Sequence, residues 1–185
     1  MKNFENREGE FDFLKNCANL FNMKTLIVYY SLEGNTKFAV DKIVEKLGAA
    51  QTEVLQLIPK KAYPDSGFKK FFWGGKSAVM KEVPELEPFS ADFARVSKII
   101  LATPVWASTF APPLRTFIRK YLPEITGREV SLVACSAGGN ADKCFDNMKR
   151  ELPGTKVTKT LSLIDPKTNN PEYNLKLIEE FCRNF

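Results

Sequence analysis

Thr25-Leu26-Ile27-Val28-Tyr29-Tyr30-Ser31-Leu32-Glu33-Gly34-Asn35-Thr36 is the stretch on which the reading of this chain turns. Its first six residues are of strand type, nearly all apolar and rich in β-branched and aromatic side chains. From Thr36 to about Leu47 the spacing changes, and Phe38, Ile43, Val44 and Leu47 can share one face of a helix. Between the two lies a small polar loop, residues 31–36. A strand that delivers such a loop to a helix N-terminus makes a site for an anion. The first turn of a helix has N–H groups without intrahelical partners, and the helix dipole adds positive potential there. Gly34 permits close backbone approach, and Ser31, Asn35 and Thr36 bring side-chain donors. The loop holds no Lys or Arg, so these donors are neutral. The same residues also suit a plain helix cap by Ser31 or Asn35.

Working outward, the chain alternates between strand and helix. Gly48 stops the first helix, and residues 52–57 alternate in the manner of a strand. Residues 96–102 and 129–134 are almost unbroken apolar runs, the mark of strands buried on both faces of a parallel sheet. Helices are expected from the prolines at 112 and 113 to about Tyr121, from about Asp142 to Leu152, and from Glu172 to Cys182. Residues 157–163 read as the last strand. This is an α/β chain with a parallel sheet of about five strands, and right-handed crossovers put helices on both faces. Residues 59–88 interrupt the alternation. They carry Pro64, Gly67, Gly74, Gly75 and Pro84, with a lysine-and-aromatic run at 67–76 in which a short helix is expected near residues 68–73.

The loop sequence Tyr-Tyr-Ser-Leu-Glu-Gly-Asn-Thr at the end of a first strand resembles the phosphate loop of the flavodoxin family, whose pattern Ser/Thr-x-x-Gly-x-Thr is matched by Ser31, Gly34 and Thr36. Glu33 departs from the family, standing where many members carry a hydroxyl, and its side chain is expected to turn outward while its N–H contributes. No Gly-Lys-Ser/Thr follows, which argues against a nucleoside triphosphatase. The resemblance extends over residues 23–185. It implies a flavodoxin-like three-layer sandwich of strand order 2-1-3-4-5, with FMN outside the carboxyl ends of the strands where the order reverses. Ser31, Glu33, Gly34, Asn35 and Thr36 would then hold the phosphate. Thr103, Pro104, Val105, Trp106, Ala107 and Ser108 would line one side of the flavin ring, and Ser136, Ala137, Gly138 and Gly139 the other. Trp106 either stacks on the ring or packs as a core or lid residue.

The chemistry of such a protein belongs to the flavin, and no catalytic side chain is implied. Electron-shuttle flavodoxins commonly have a glycine in the loop after the third strand and are acidic. Here residues 103–113 contain no glycine, and the chain carries a net charge of +5. Three readings follow. One is an FMN electron-transfer protein that docks a redox partner. Another is an NAD(P)H-dependent reductase of quinones or other small acceptors, since residues 103–106 resemble the matching loop of flavodoxin-like quinone reductases. The third is a flavin-free binding protein on the same fold.

Composition narrows the remaining classes. The chain has no histidine, and its four cysteines, Cys17, Cys135, Cys144 and Cys182, form no CxxC pair, so no metal site is expected and the thiols read as reduced. Six lysines between Lys60 and Lys81 face a single carboxylate, Asp65. That patch reads as a solvated face or an anionic-partner surface, and nothing matches a nucleic-acid motif. No apolar run is long enough for a membrane span, and the N-terminus lacks the order of a secretory signal, which points to the cytoplasm. Residues 1–22, with an amphipathic stretch at 11–21, read as a peripheral extension without chemistry.

Overall fold

The computed structural model describes residues 23–64 and 76–185. The expected helices near residues 11–21 and 68–73 lie outside them. Strand β1 (Lys24–Tyr29) leads to helix α1 (Asn35–Leu47), and β2 (Thr52–Gln56) follows. After the insertion come β3 (Val96–Trp106), the two-residue β4 (Thr109–Phe110) and α2 (Pro112–Ile125). The chain ends β5 (Glu129–Ser136), α3 (Asp142–Arg150), β6 (Lys156–Ile164) and α4 (Pro171–Cys182). The long strands run in the order β2-β1-β3-β5-β6, all parallel, with β4 antiparallel to β3. Counting only the parallel strands, this is the expected 2-1-3-4-5.

The period of two in the strands sorts the core into two layers. From β1, Leu26 and Val28 face Ile99, Leu101, Leu114, Phe117, Ile118 and Met148, on the side of α2 and α3. The intervening Ile27 and Tyr29 face Ala39, Val40, Ile43, Leu161, Ile178 and Phe181, on the side of α1 and α4. Edge strand β6 alternates buried and exposed positions in its C-terminal half, as a strand with one solvated side does.

Four boundaries differ from expectation by two residues or more, one of them the end of β5, which continues past Ala134 to Ser136. Strand β3 does not end at Ala102 but continues to Trp106 and folds back as a hairpin, pairing Val105 with Phe110 and Trp106 with Thr109. The stretch expected as an open loop is therefore mostly strand. Helix α2 continues past Tyr121 to Ile125, but breaks its helical geometry at Tyr121, two residues before Pro123. The proline has no N–H to give the helix, and its ring crowds the carbonyl four residues earlier. Helix α3 stops at Arg150 rather than Leu152. At the base of the insertion, Pro59 and Leu86 form an antiparallel bridge, so its two ends are pinned together beside the sheet. Among the described residues no helix is long and apolar enough to cross a membrane.

Candidate functional site

The loops after β1, β3 and β5 open on the same edge of the sheet, at the point where strand order reverses. They enclose a cleft of about 300 Å³, lined by Ser31, Leu32, Glu33, Asn35, Thr36, Pro104, Val105, Trp106, Ala107, Cys135, Ser136, Ala137 and Asp165. Ten of the fifteen residues singled out in the sequence are in that lining. Gly34, Thr103, Ser108, Gly138 and Gly139 are not.

The first loop presents donors to the cleft. Gly34 adopts φ +91°, a conformation that favours glycine, and caps α1. Its N–H and that of Lys37 converge on Ser31 Oγ, each at 3.2 Å. The hydroxyl thus stands where two helix-terminal N–H groups point. Beside it, Thr36 is 1% exposed and Ser136 is 8% exposed, and neither side-chain oxygen has a hydrogen-bond partner among the described residues. Thr36 Oγ1 does face the Cys135 thiol without meeting hydrogen-bond geometry. Buried hydroxyls are nearly always paired, so two orphans lining one cleft mark a place for a ligand with acceptor atoms.

Asn35 is placed differently from expectation. Its Nδ2 donates to Asp165 Oδ1 at 3.1 Å and its Oδ1 accepts from Lys167 N at 3.2 Å, so its amide joins the first loop to the loop after β6. Glu33 is exposed and is among the residues that line the cleft. Thr103 is fully buried and works inside the hairpin, where its Oγ1 accepts from Ala111 N at 3.0 Å. Ser108 sits at the turn apex, with its carbonyl toward Asn147. Gly138 and Gly139 lie in the open, with space around each.

The β3 wall is apolar. Trp106 packs edge-on against Tyr63 and Tyr30, with ring centroids 5.0 and 5.6 Å away, and still lines the cleft. Tyr63 comes from the insertion and could not be paired with Trp106 from sequence. Burial pushes the Tyr30 hydroxyl above its ordinary range, with Tyr63 adding to the rise. Burial likewise pushes the Cys135 thiol up to about 12, against a lowering by the Thr36 hydroxyl, with Asp165 raising it further. That thiol is therefore protonated and inert near neutrality. Leu32 and Asp165 escaped the sequence reading, whereas Cys135 falls in the stretch 135–140 that the sequence already marks as a candidate ligand loop. Leu32 adjoins motif residues, but Asp165 carried no local signal at all.

A second hollow of about 190 Å³ adjoins the first across Ala107, with Lys81, Arg115 and Arg150 around it and Glu151 as its acid. Arg115, nearly inaccessible, pairs through Nε with Glu151 Oε1 at 3.1 Å and stacks over Phe110 at 4.5 Å.

Comparison with known proteins agrees with this architecture. The family model described as a flavodoxin domain matches residues 75–177. No curated protein matches the sequence. Among solved structures, a flavoprotein from Lactobacillus acidophilus NCFM in complex with FMN is similar at a TM-score of 0.66 and 23% identity, over 78% of this chain and 95% of that one. The apo-form of the flavoprotein from the same organism is similar at 0.58 and 23%, over 80% and 96%. Two-electron reduced Megasphaera elsdenii flavodoxin is similar at 0.52 and 20%, over 86% and 98%. At these identities the likeness is one of fold.

Proposed function

Because the chain belongs to the flavodoxin domain family, we propose that it binds FMN in the cleft at the carboxyl edge of its sheet and transfers electrons through the bound flavin. The observation that carries this reading is the pair of orphaned buried hydroxyls, Thr36 Oγ1 and Ser136 Oγ, in the lining of that cleft. Their donor capacity fits a phosphorylated, acceptor-rich ligand. FMN supplies the redox chemistry, taking up and releasing electrons at its ring. The protein's residues bind and orient it. Thr36 Oγ1 donates to the phosphate, and so does the Ser31 hydroxyl, whose oxygen accepts from the N–H groups of Gly34 and Lys37 and whose proton stays available, at the positive end of the α1 dipole. Val105 and Trp106 supply an apolar wall for a flat ring and keep water from one side of it. Backbone groups of residues 136–139 serve its polar edge.

The test is direct. Purified protein is incubated with FMN, passed through a desalting column and examined by visible absorption. One flavin retained per chain, with a shifted band, is the expected result. A colourless protein would overturn the reading and leave a flavin-free binding protein on this fold.

A second reading, an NAD(P)H-dependent reductase of quinones, is favoured by the cationic hollow that shares Ala107 with the cleft. Lys81 and Arg150 there suit an anionic co-substrate beside the flavin. Steady-state oxidation of NADH and NADPH, with and without a quinone, separates the two. Turnover favours the reductase, and FMN retention without turnover favours the electron carrier.

A further inference from the structure

The loop after β6 is built against the phosphate loop although 130 residues separate them in sequence. Asn35 clasps it through Asp165 and the Lys167 N–H. Asp165 N donates to Ser136 O at 2.8 Å, and Thr168 N and Asn169 N both return to Asp165 O, at 2.9 and 2.8 Å. From below, the buried Asn174 amide donates to the carbonyls of Ile164, Asn169 and Asn170. Residues 165–170 are therefore a fixed, hydrogen-bonded loop. Its Lys167 ammonium lies 3.8 Å from the point where a side chain on Gly34 would begin.

Charge around the cleft gives that ammonium a task. Asp165 lines the cleft, and a phosphate entering it meets that carboxylate. Lys37, the cation nearest in sequence, is held by Asp41 at 2.7 Å. Lys167 makes no ion pair among the described residues. We propose that residues 165–170 form a further wall of the phosphate site and that Lys167 pairs with the ligand's phosphate group, selecting phosphorylated over unphosphorylated flavin. This rests on the FMN reading above. A sequence search for cations inside the loop at 31–36 would miss it, because the charge arrives from the far end of the chain.

The experiment titrates flavin-free protein with FMN and with riboflavin, for wild type, Lys167→Gln and Lys167→Arg, at low and high salt. Riboflavin has the ring without the phosphate. Wild type is expected to prefer FMN, with an affinity that falls as salt rises. Lys167→Gln is expected to weaken FMN about tenfold, the loss typical of one charge-assisted contact. Riboflavin should change less than about twofold, and Lys167→Arg should restore most of the FMN affinity. Equal losses for both flavins, or unchanged FMN affinity in Lys167→Gln, would overturn the role of Lys167 while leaving FMN binding intact. A wild type that holds neither flavin would overturn the FMN reading, and this one with it.

Discussion

Thr36 sets ligand binding against stability. Its hydroxyl is buried without a partner, and leaving such a group unmade costs about 1–3 kcal/mol. Valine has nearly the same shape and no polar atom. Thr36→Val is therefore expected to raise the stability of the flavin-free protein by about 1 kcal/mol in urea unfolding. The same change should weaken FMN about tenfold, since it removes a donor to the phosphate. A variant that loses stability and keeps its FMN affinity would show that the hydroxyl serves packing alone. The neighbouring Ser31 differs, because its oxygen already accepts two N–H groups. Both residues were legible in the sequence as hydroxyls at a strand-to-helix loop. Their division of labour was not, because partner geometry depends on where Cys135 and Ser136 arrive from β5.

The β3–β4 hairpin is the element the sequence concealed most. Pro104 inside residues 103–109 argues against a central strand, yet β3 runs through it. Pairing with β4 depends on a two-residue turn at Ala107 and Ser108, which adopt φ +47° and +62°. Such turns ordinarily carry Asn-Gly or Asp-Gly, and that missing signature made the segment look like open loop. Side chains with a Cβ are strained in this region. Ser108 lies outside the cleft lining, so Ser108→Gly is expected to relieve strain without touching the site. After allowing for the greater freedom of glycine in the unfolded chain, the gain should be about 0.5–1 kcal/mol. It would appear as a higher urea midpoint at unchanged m-value. A lower midpoint would mean that the Ser108 side chain supplies a compensating contact. The long parallel strands were legible for the opposite reason, since a strand buried on both faces must be apolar along its length, as residues 96–102 are.

The whole molecule is a sheet between two apolar layers, and each layer holds a buried thiol. Cys144 lies in the layer under α2 and α3, and Cys135 in the layer under α1 and α4. The sequence placed both as reduced thiols, but which layer each enters follows from strand order and helix register. Burial pushes both up to about 12 from an ordinary value near 9. Between those values the unfolded chain has lost these protons while the folded chain keeps them. Stability is therefore fully present below about pH 9 and falls as pH rises toward 12, by about 1.4 kcal/mol per pH unit for each thiol. Tyr30, also raised by burial, adds to the loss above its ordinary range near 10. Urea midpoints measured from pH 8 to pH 10.5 should fall steadily once pH 9 is passed. Cys144→Ala lowers the midpoint at every pH through the cavity it leaves, yet it should flatten the decline, because one of the thiols raised by burial, Cys135, Cys144 and Cys182, is gone. Parallel declines in wild type and variant would place the alkaline sensitivity elsewhere in the fold and remove Cys144 from its cause.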